Sequence, residues 1–456
     1  MAEIRPFRCI RPAEEAASKV AALPYDVYSR QEAKKEVEKN PMSFLAVDRA
    51  ETQFSDDVDL HEPKVYEKAR EILEKWQEEG ILYEDPAECY YLYELTMNGR
   101  SQAGIVACAS VDDYVNGVIK KHENTREDKE QDRICHVDVT GAHTGPIFLA
   151  YRSDQELNQI VDEVRSQETL YDFTAEDGVR HRVWKVDDEK AGKTGADTEA
   201  GTGTEQAGEV REDNRTSRIY KRFKAMEAIY IADGHHRAAS AVKVGLKRRD
   251  ERSGCTGQEP FNFFLSVLFP DDQLLIMPYN RVVKDLNGWS AEAFLEKVKD
   301  RFIVKECVKA ERNGANLVGD RGTGDKKNES ACQPKERHHM GMYLKGQWYE
   351  LKVKHESIVK DPVKGLDVSI LQDILLEPVL GIQDPRTDER IQFVGGIRGL
   401  SELERLVDEG KGAVAFAMYP TSVQELFSVA DAGLLMPPKS TWFEPKLRSG
   451  LFIHKL

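Results

Sequence analysis

The sequence contains no apolar run near the roughly 18 residues that a membrane-crossing helix needs. Its opening residues, Met1-Ala2-Glu3-Ile4-Arg5-Pro6-Phe7-Arg8, lack the apolar stretch of a secretory signal. A cytoplasmic protein with no membrane partner is expected. Cysteine is sparse and odd in number, seven in all, with no C-x-x-C. That pattern signals neither a zinc ribbon nor a thioredoxin-type redox pair, and it predicts reduced structural thiols. Positive charge is in deficit: 65 Lys and Arg stand against 80 Asp and Glu, a net charge of −15. Affinity for a phosphate backbone depends on basic surface, so no nucleic-acid partner is expected. No H-E-x-x-H occurs, which argues against a metal hydrolase built on paired histidines. Gly192-Lys193-Thr194 looks like the end of a P-loop, but Asp187 stands where its first glycine is required.

What is present centres on Ile229 to Ala241. An apolar, β-prone run ends at Asp233-Gly234, and a helix-favouring run, 237–247, begins just after His235-His236. Strand, glycine turn and helix aim backbone N–H groups and a positive helix end at an anion. Gly234 permits the close approach. His236 and Arg237 would neutralise a phosphate, and Asp233 could accept a hydroxyl proton or hold magnesium. With no spaced third ligand beside the histidine pair, a phosphate turn is the expectation rather than a metal site.

At 456 residues, two or three domains are expected. We place an N-terminal α/β segment at 1–88, the phosphate-binding core at 89–275 and a C-terminal α/β domain at 276–456. Within the first, the runs at 23–28 and 41–49 look like short strands, and Tyr25, Asp26 and Arg49 could line a pocket, although turn and surface positions are the favoured reading. Asn98-Gly99 predicts a type I′ hairpin. Gly117 to Arg152 carries a strand ending at His122-Glu123, and places His143-Thr144-Gly145-Pro146 in a turn before a buried strand. The Gly/Thr/Ala/Glu-rich insert near 189–214 cannot bury enough surface to offset its ordering entropy, so disorder is expected. Ser401 and Glu404 suggest a capping box. The tail offers Lys439, Ser440, Thr441, Lys446 and Arg448 as phosphate-compatible donors.

Asp233-Gly234-His235-His236-Arg237, followed by small residues, is similar to the phosphate-binding motif of the ParB/sulfiredoxin-like superfamily. Within it, the closest functional analogue is the free-serine kinase group, which phosphorylates L-serine using ADP or ATP with magnesium. The resemblance implies an α+β fold: a mixed-sheet core of ParB/sulfiredoxin-like type with added N- and C-terminal α/β segments. It implies catalysis by Asp233, Glu123 (in Lys121-His122-Glu123) and His235. Phosphate would be bound by Gly234, His236 and Arg237, joined by His143, Thr144 and the tail donors, with Asp233 as a magnesium ligand. From Arg5-Pro6-Phe7 to Lys439-Ser440-Thr441-Trp442-Phe443, the whole chain also resembles a bacterial family of unknown function associated with serine biosynthesis.

The expected function is therefore phosphotransfer to a small hydroxy amino acid, with a nucleotide and a small molecule as ligands. The alternatives are a phosphoserine phosphatase-type hydrolase and a nucleotide-responsive ParB-like binding module. A homo-oligomer is compatible with the sequence.

Overall fold

The computed structural model describes residues 1–125, 127–188, 214–307 and 332–456. The insert near 189–214 and a polar Gly-rich stretch at 313–333 lie outside them, except at their last positions. One of those, Asn214, caps the Arg215–Ala225 helix by accepting the Ser217 N–H at 2.7 Å. The chain forms two compact units, Met1–Leu274 with Pro445–Leu456, and Leu275–Glu444. Among the described residues, no helix is long and apolar enough to cross a membrane.

The first unit is built on a nine-stranded mixed sheet. Its strands run, in spatial order, Ile119–Lys120, Ile229–Asp233, Ile147–Tyr151, Phe263–Pro270, Arg100–Ser110, Tyr91–Met97, Arg180–Lys185 and Tyr171–Thr174, with Ile4–Arg5 also on Arg100–Ser110. Two pairings are parallel, Ile229–Asp233 on Ile119–Lys120 and Phe263–Pro270 on Ile147–Tyr151. Parallel pairs need both faces covered, and Ile147–Tyr151 and Phe263–Pro270 are accordingly buried along their whole length. The expected hairpin closes at Asn98-Gly99, with φ of 51° and 77°.

Residues of the His235–Glu251 helix (Ala238, Ala241 and Val242) pack with Ile147, Leu149, Ile231, Phe264 and Leu268 in one buried cluster. A second cluster gathers the N-terminal helices around Phe44, Val47, Leu73 and Trp76. Here two expectations fail. The run at 41–49 holds a helical turn, Leu45–Asp48, and 23–28 holds a 3-10 turn, Tyr25–Val27. Phe44 to Val47 are buried on every side, so their apolar run reflects depth in the core rather than strand alternation. The last strand of the chain, Ile453–Lys455, joins a small sheet with Cys9–Pro12, Leu82–Glu84 and Ala142–His143.

The second unit carries a six-stranded antiparallel sheet, ordered Phe302–Glu306, Gln347–Val353, His339–Leu344, Val414–Ala417, Tyr279–Val283 and Ile391–Gly395. Its core includes Val282, Tyr343, Trp348, Leu403 and Ala415. Ser422 and Glu425 form a capping box on Val423–Asp431. The box expected at Ser401 and Glu404 is absent: the helix already starts at Gly399, and Glu404 accepts the Trp348 indole N–H at 2.7 Å. Cys307 and Cys332, with Cα atoms 6.0 Å apart, are joined as a disulfide, contrary to the expectation of reduced thiols throughout.

Candidate active site

Asp233 ends its strand, Gly234 turns in the left-handed region at φ 90°, and the helix starts at once at His235. No side chain caps this helix, and no acidic residue lies in its first turn, so its leading N–H groups have no intrahelical partner. Asp233 accepts the Gly234 N–H at 2.8 Å through Oδ1 and the Lys446 ammonium at 2.9 Å through Oδ2. Desolvation opposes ionisation of this carboxyl, but Lys446 and Arg237 outweigh it and hold Asp233 well below the usual carboxylate range. Arg237 donates to the Pro146 carbonyl at 2.6 Å, and its guanidinium folds back against Gly234. A β-carbon there would stand 3.1 Å from Nη2.

The parallel pairing of Ile119 with Ile229 and Lys120 with Tyr230 runs Lys121-His122-Glu123 alongside the end of the Asp233 strand. It brings His122 and Glu123 to His235. The two imidazoles meet edge to face, with centroids 4.5 Å apart, and His235 Nδ1 lies 3.9 Å from Glu123 Oε2. Both rings are buried, whereas the Glu123 side chain is 39% exposed. Burial pushes His122 down to about 4; burial and then His122 push His235 well below the ordinary histidine value. Both are neutral at pH 7. The expectation of no third ligand near the histidine pair is thus overturned, because the partners come from more than a hundred residues away.

Next to Arg237, the loop at Thr144-Gly145 closes on the C-terminal tail. Thr144 donates to Asp48 at 2.8 Å, the Gly450 N–H donates to the Thr144 carbonyl at 3.2 Å, and a β-carbon on Gly145 would stand 3.0 Å from Ser449 Oγ. His143 is buried against His454, and neither of its ring nitrogens meets a hydrogen-bond partner among the described residues. From this loop a lining of Tyr25, Asp48, Arg133 and His136 leads into a cavity of about 320 Å³ bordered by Asp26 and Arg49. Tyr25, Asp26 and Arg49, taken in sequence as turn and surface residues, are cavity walls. Arg133 stacks over the Tyr25 ring at 4.1 Å, and Arg49 donates to the Tyr25 and Tyr28 carbonyls. Nothing local in the sequence marks this wall, since its members come from four separate segments.

Of the tail donors, Lys446 reaches the turn. Arg448 is buried, ion-paired to Asp177 and hydrogen-bonded to His181 Nε2 at 3.2 Å. Lys439, Ser440 and Thr441 belong to the second unit, where the Ser440 hydroxyl donates to the Pro437 carbonyl at 2.6 Å. His338 and His339, also in the second unit, face Asp367 and Glu350, each at 3.1 Å.

The fold and the turn together describe an α+β protein with a strand–glycine–helix turn at Asp233-Gly234-His235. The chain belongs to the family described as a protein of unknown function, DUF1015, whose profile matches residues 4–369. No curated protein matches it. Among solved structures, a free serine kinase in complex with AMP is 13% identical, covering 76% of this chain and 92% of that one, with a TM-score of 0.33. A conserved hypothetical protein from Pyrococcus furiosus is 13% identical over 76% and 94% of the two chains, at 0.32. A C-terminally truncated SbnI from Staphylococcus aureus is 10% identical over 75% and 85%, at 0.33.

Proposed function

We propose that this protein is a phosphotransferase acting on a small hydroxy amino acid, in the manner of a free-serine kinase, with ADP or ATP as co-substrate. The proposal includes a core of ParB/sulfiredoxin-like type. One observation carries it: the uncapped helix start at His235 converges with Arg237 and Lys446 on a single left-handed glycine turn. Backbone N–H groups, a planar guanidinium and an ammonium are the donors that grip phosphate oxygens. The cavity leading away from Arg237 offers walls of both signs, Asp48 and Arg133 among them, which suit a zwitterion.

In this reading Asp233 orients Lys446 and is too weakly basic at rest to take a proton. An arriving phosphate competes for Lys446 and Arg237, and Asp233 regains basicity as it loses them. Glu123, more open to solvent, is the second acceptor for the substrate hydroxyl proton. Positioning and charge neutralisation supply most of the rate. Asp233 does not suit the magnesium expected there, because one oxygen is held by Lys446 and the guanidinium of Arg237 adds to the positive charge around it.

Purified protein supplied with serine and ATP or ADP should form phosphoserine, and Asp233→Asn should abolish most of that activity. Phosphate release from phosphoserine without nucleotide would indicate the hydrolase instead. Absence of phosphoserine with either nucleotide, or full activity in Asp233→Asn, would refute the kinase reading.

A further inference from the structure

We infer that His122, Glu123 and His235 form a binding site for a divalent first-row transition ion, separate from any magnesium carried by a nucleotide. One ligand atom from each residue lies within 4.8 Å of the other two. Two ligands that share an ion at about 2.1 Å stand about 3.0–3.4 Å apart for angles between octahedral and tetrahedral. Side-chain rotation that shortens the widest separation by up to about 1.8 Å therefore closes the site.

The spacing between His235 and Glu123 is informative. At 3.9 Å the Nδ1–Oε2 pair is too long for a hydrogen bond and only slightly wider than two ligands of one shared ion. His235 Nε2 is buried and meets no hydrogen-bond partner among the described residues. A neutral imidazole carries one N–H and one lone pair. Ligation through Nδ1 puts that N–H on Nε2 and sets the cation between the ring and the Glu123 carboxylate.

The donor set defines the class of ion. Magnesium and calcium take oxygen ligands, whereas two imidazoles and one carboxylate suit manganese, iron, cobalt, nickel or zinc. Three protein ligands leave at least one position for water or a ligand oxygen. Each residue is held by a structured segment: His235 opens a 17-residue helix, and His122 and Glu123 follow a strand in register with Ile229 and Tyr230.

The test uses the full chain, stripped with a chelator and titrated with Co²⁺, whose visible absorption reports nitrogen and oxygen ligation. One equivalent should bind with a saturable band, and Zn²⁺ should displace it. Glu123→Gln should weaken binding about 10- to 100-fold, and His122→Ala with His235→Ala should abolish the band. Glu123→Gln changes one half-exposed oxygen to an amide, so folding is retained and checked by far-UV circular dichroism. A band that survives the double histidine variant, or unchanged affinity in folded Glu123→Gln, would overturn the assignment. Because the readout is binding alone, it separates this site from the kinase proposal: phosphoserine formation without the cobalt band sinks the site, and the band without phosphoserine sinks the kinase.

Discussion

Replacing Lys446 by Met removes the ammonium from Asp233 while keeping the aliphatic stem. Two unit charges about 4 Å apart attract by about 4 kcal/mol at an effective dielectric of 20. The Asp233 side chain is 35% exposed and that of Lys446 17%, so water screens the pair and both groups were partly desolvated to form it. Allowing for that screening, the net loss is about 1–2 kcal/mol at pH 7. The pH dependence follows from the sign of the shift. Asp233 is depressed in the folded state relative to its unfolded value of about 3.9, so its contribution is whole above about pH 5 and is lost as pH falls through 3.9 towards the folded value. At pH 3 the unfolded carboxyl is about nine-tenths protonated, which takes away about 1.3 kcal/mol. That loss arises in the unfolded chain and is common to both proteins, so urea unfolding should separate wild type from Lys446→Met by about 1–2 kcal/mol at pH 7 and by nearly as much at pH 3, where the folded carboxyl is still ionised. In an Asp233→Asn background the same substitution should cost little at either pH. A gap that closes by pH 3, or full additivity with Asp233→Asn, would show that the pair is not coupled as the geometry requires.

Gly234→Ala should destabilise the protein by about 1–2 kcal/mol, since its φ of 90° is strained for a residue with a β-carbon and Arg237 must also give way. Thermal unfolding reads the stability, and nucleotide protection against it should shrink in the same variant. Arg11→Met should cost about 3–5 kcal/mol, because Asp85, 3% exposed and held bidentately by Arg11, would be left as a buried charge; Asp85→Asn in the same chain should recover much of the loss. Ser422→Ala should cost about 1 kcal/mol through loss of its capping box, measured as a lowered urea midpoint of the second unit.

What could be read from sequence was local. Asn98-Gly99 announces a hairpin because positive φ at both turn positions restricts the residue types, and the turn adopts it. Asp233-Gly234 announces the strand–turn–helix junction for a related reason: an apolar run that stops at an acid and a glycine gives way to a helix at a residue with positive φ. The N-terminal region misleads because Phe44 to Val47 has too few residues to show a period, and complete burial erases the alternation that would separate strand from helix. Ser401 misleads differently. Its spacing to Glu404 is right, but the indole of Trp348 takes that carboxylate, a preference that only the folded sheet reveals.

The parts of the site that no local pattern shows are those supplied by strand register and by the chain's return. His122 and Glu123 reach His235 through a pairing of two residues with two, Ile119–Lys120 on Ile229–Tyr230, too short to leave a periodic signal. A slip of one residue there would turn Glu123 to the other side of its strand end. Lys446 reaches Asp233 only because Pro445–Leu456 rejoins the first unit after 170 intervening residues of the second. The tail therefore joins Arg237 in holding the acid of the turn ionised. Among the five tail donors, the distinction between Lys446, which pairs with Asp233, and Arg448, which ties Asp177 to His181, exists only in three dimensions.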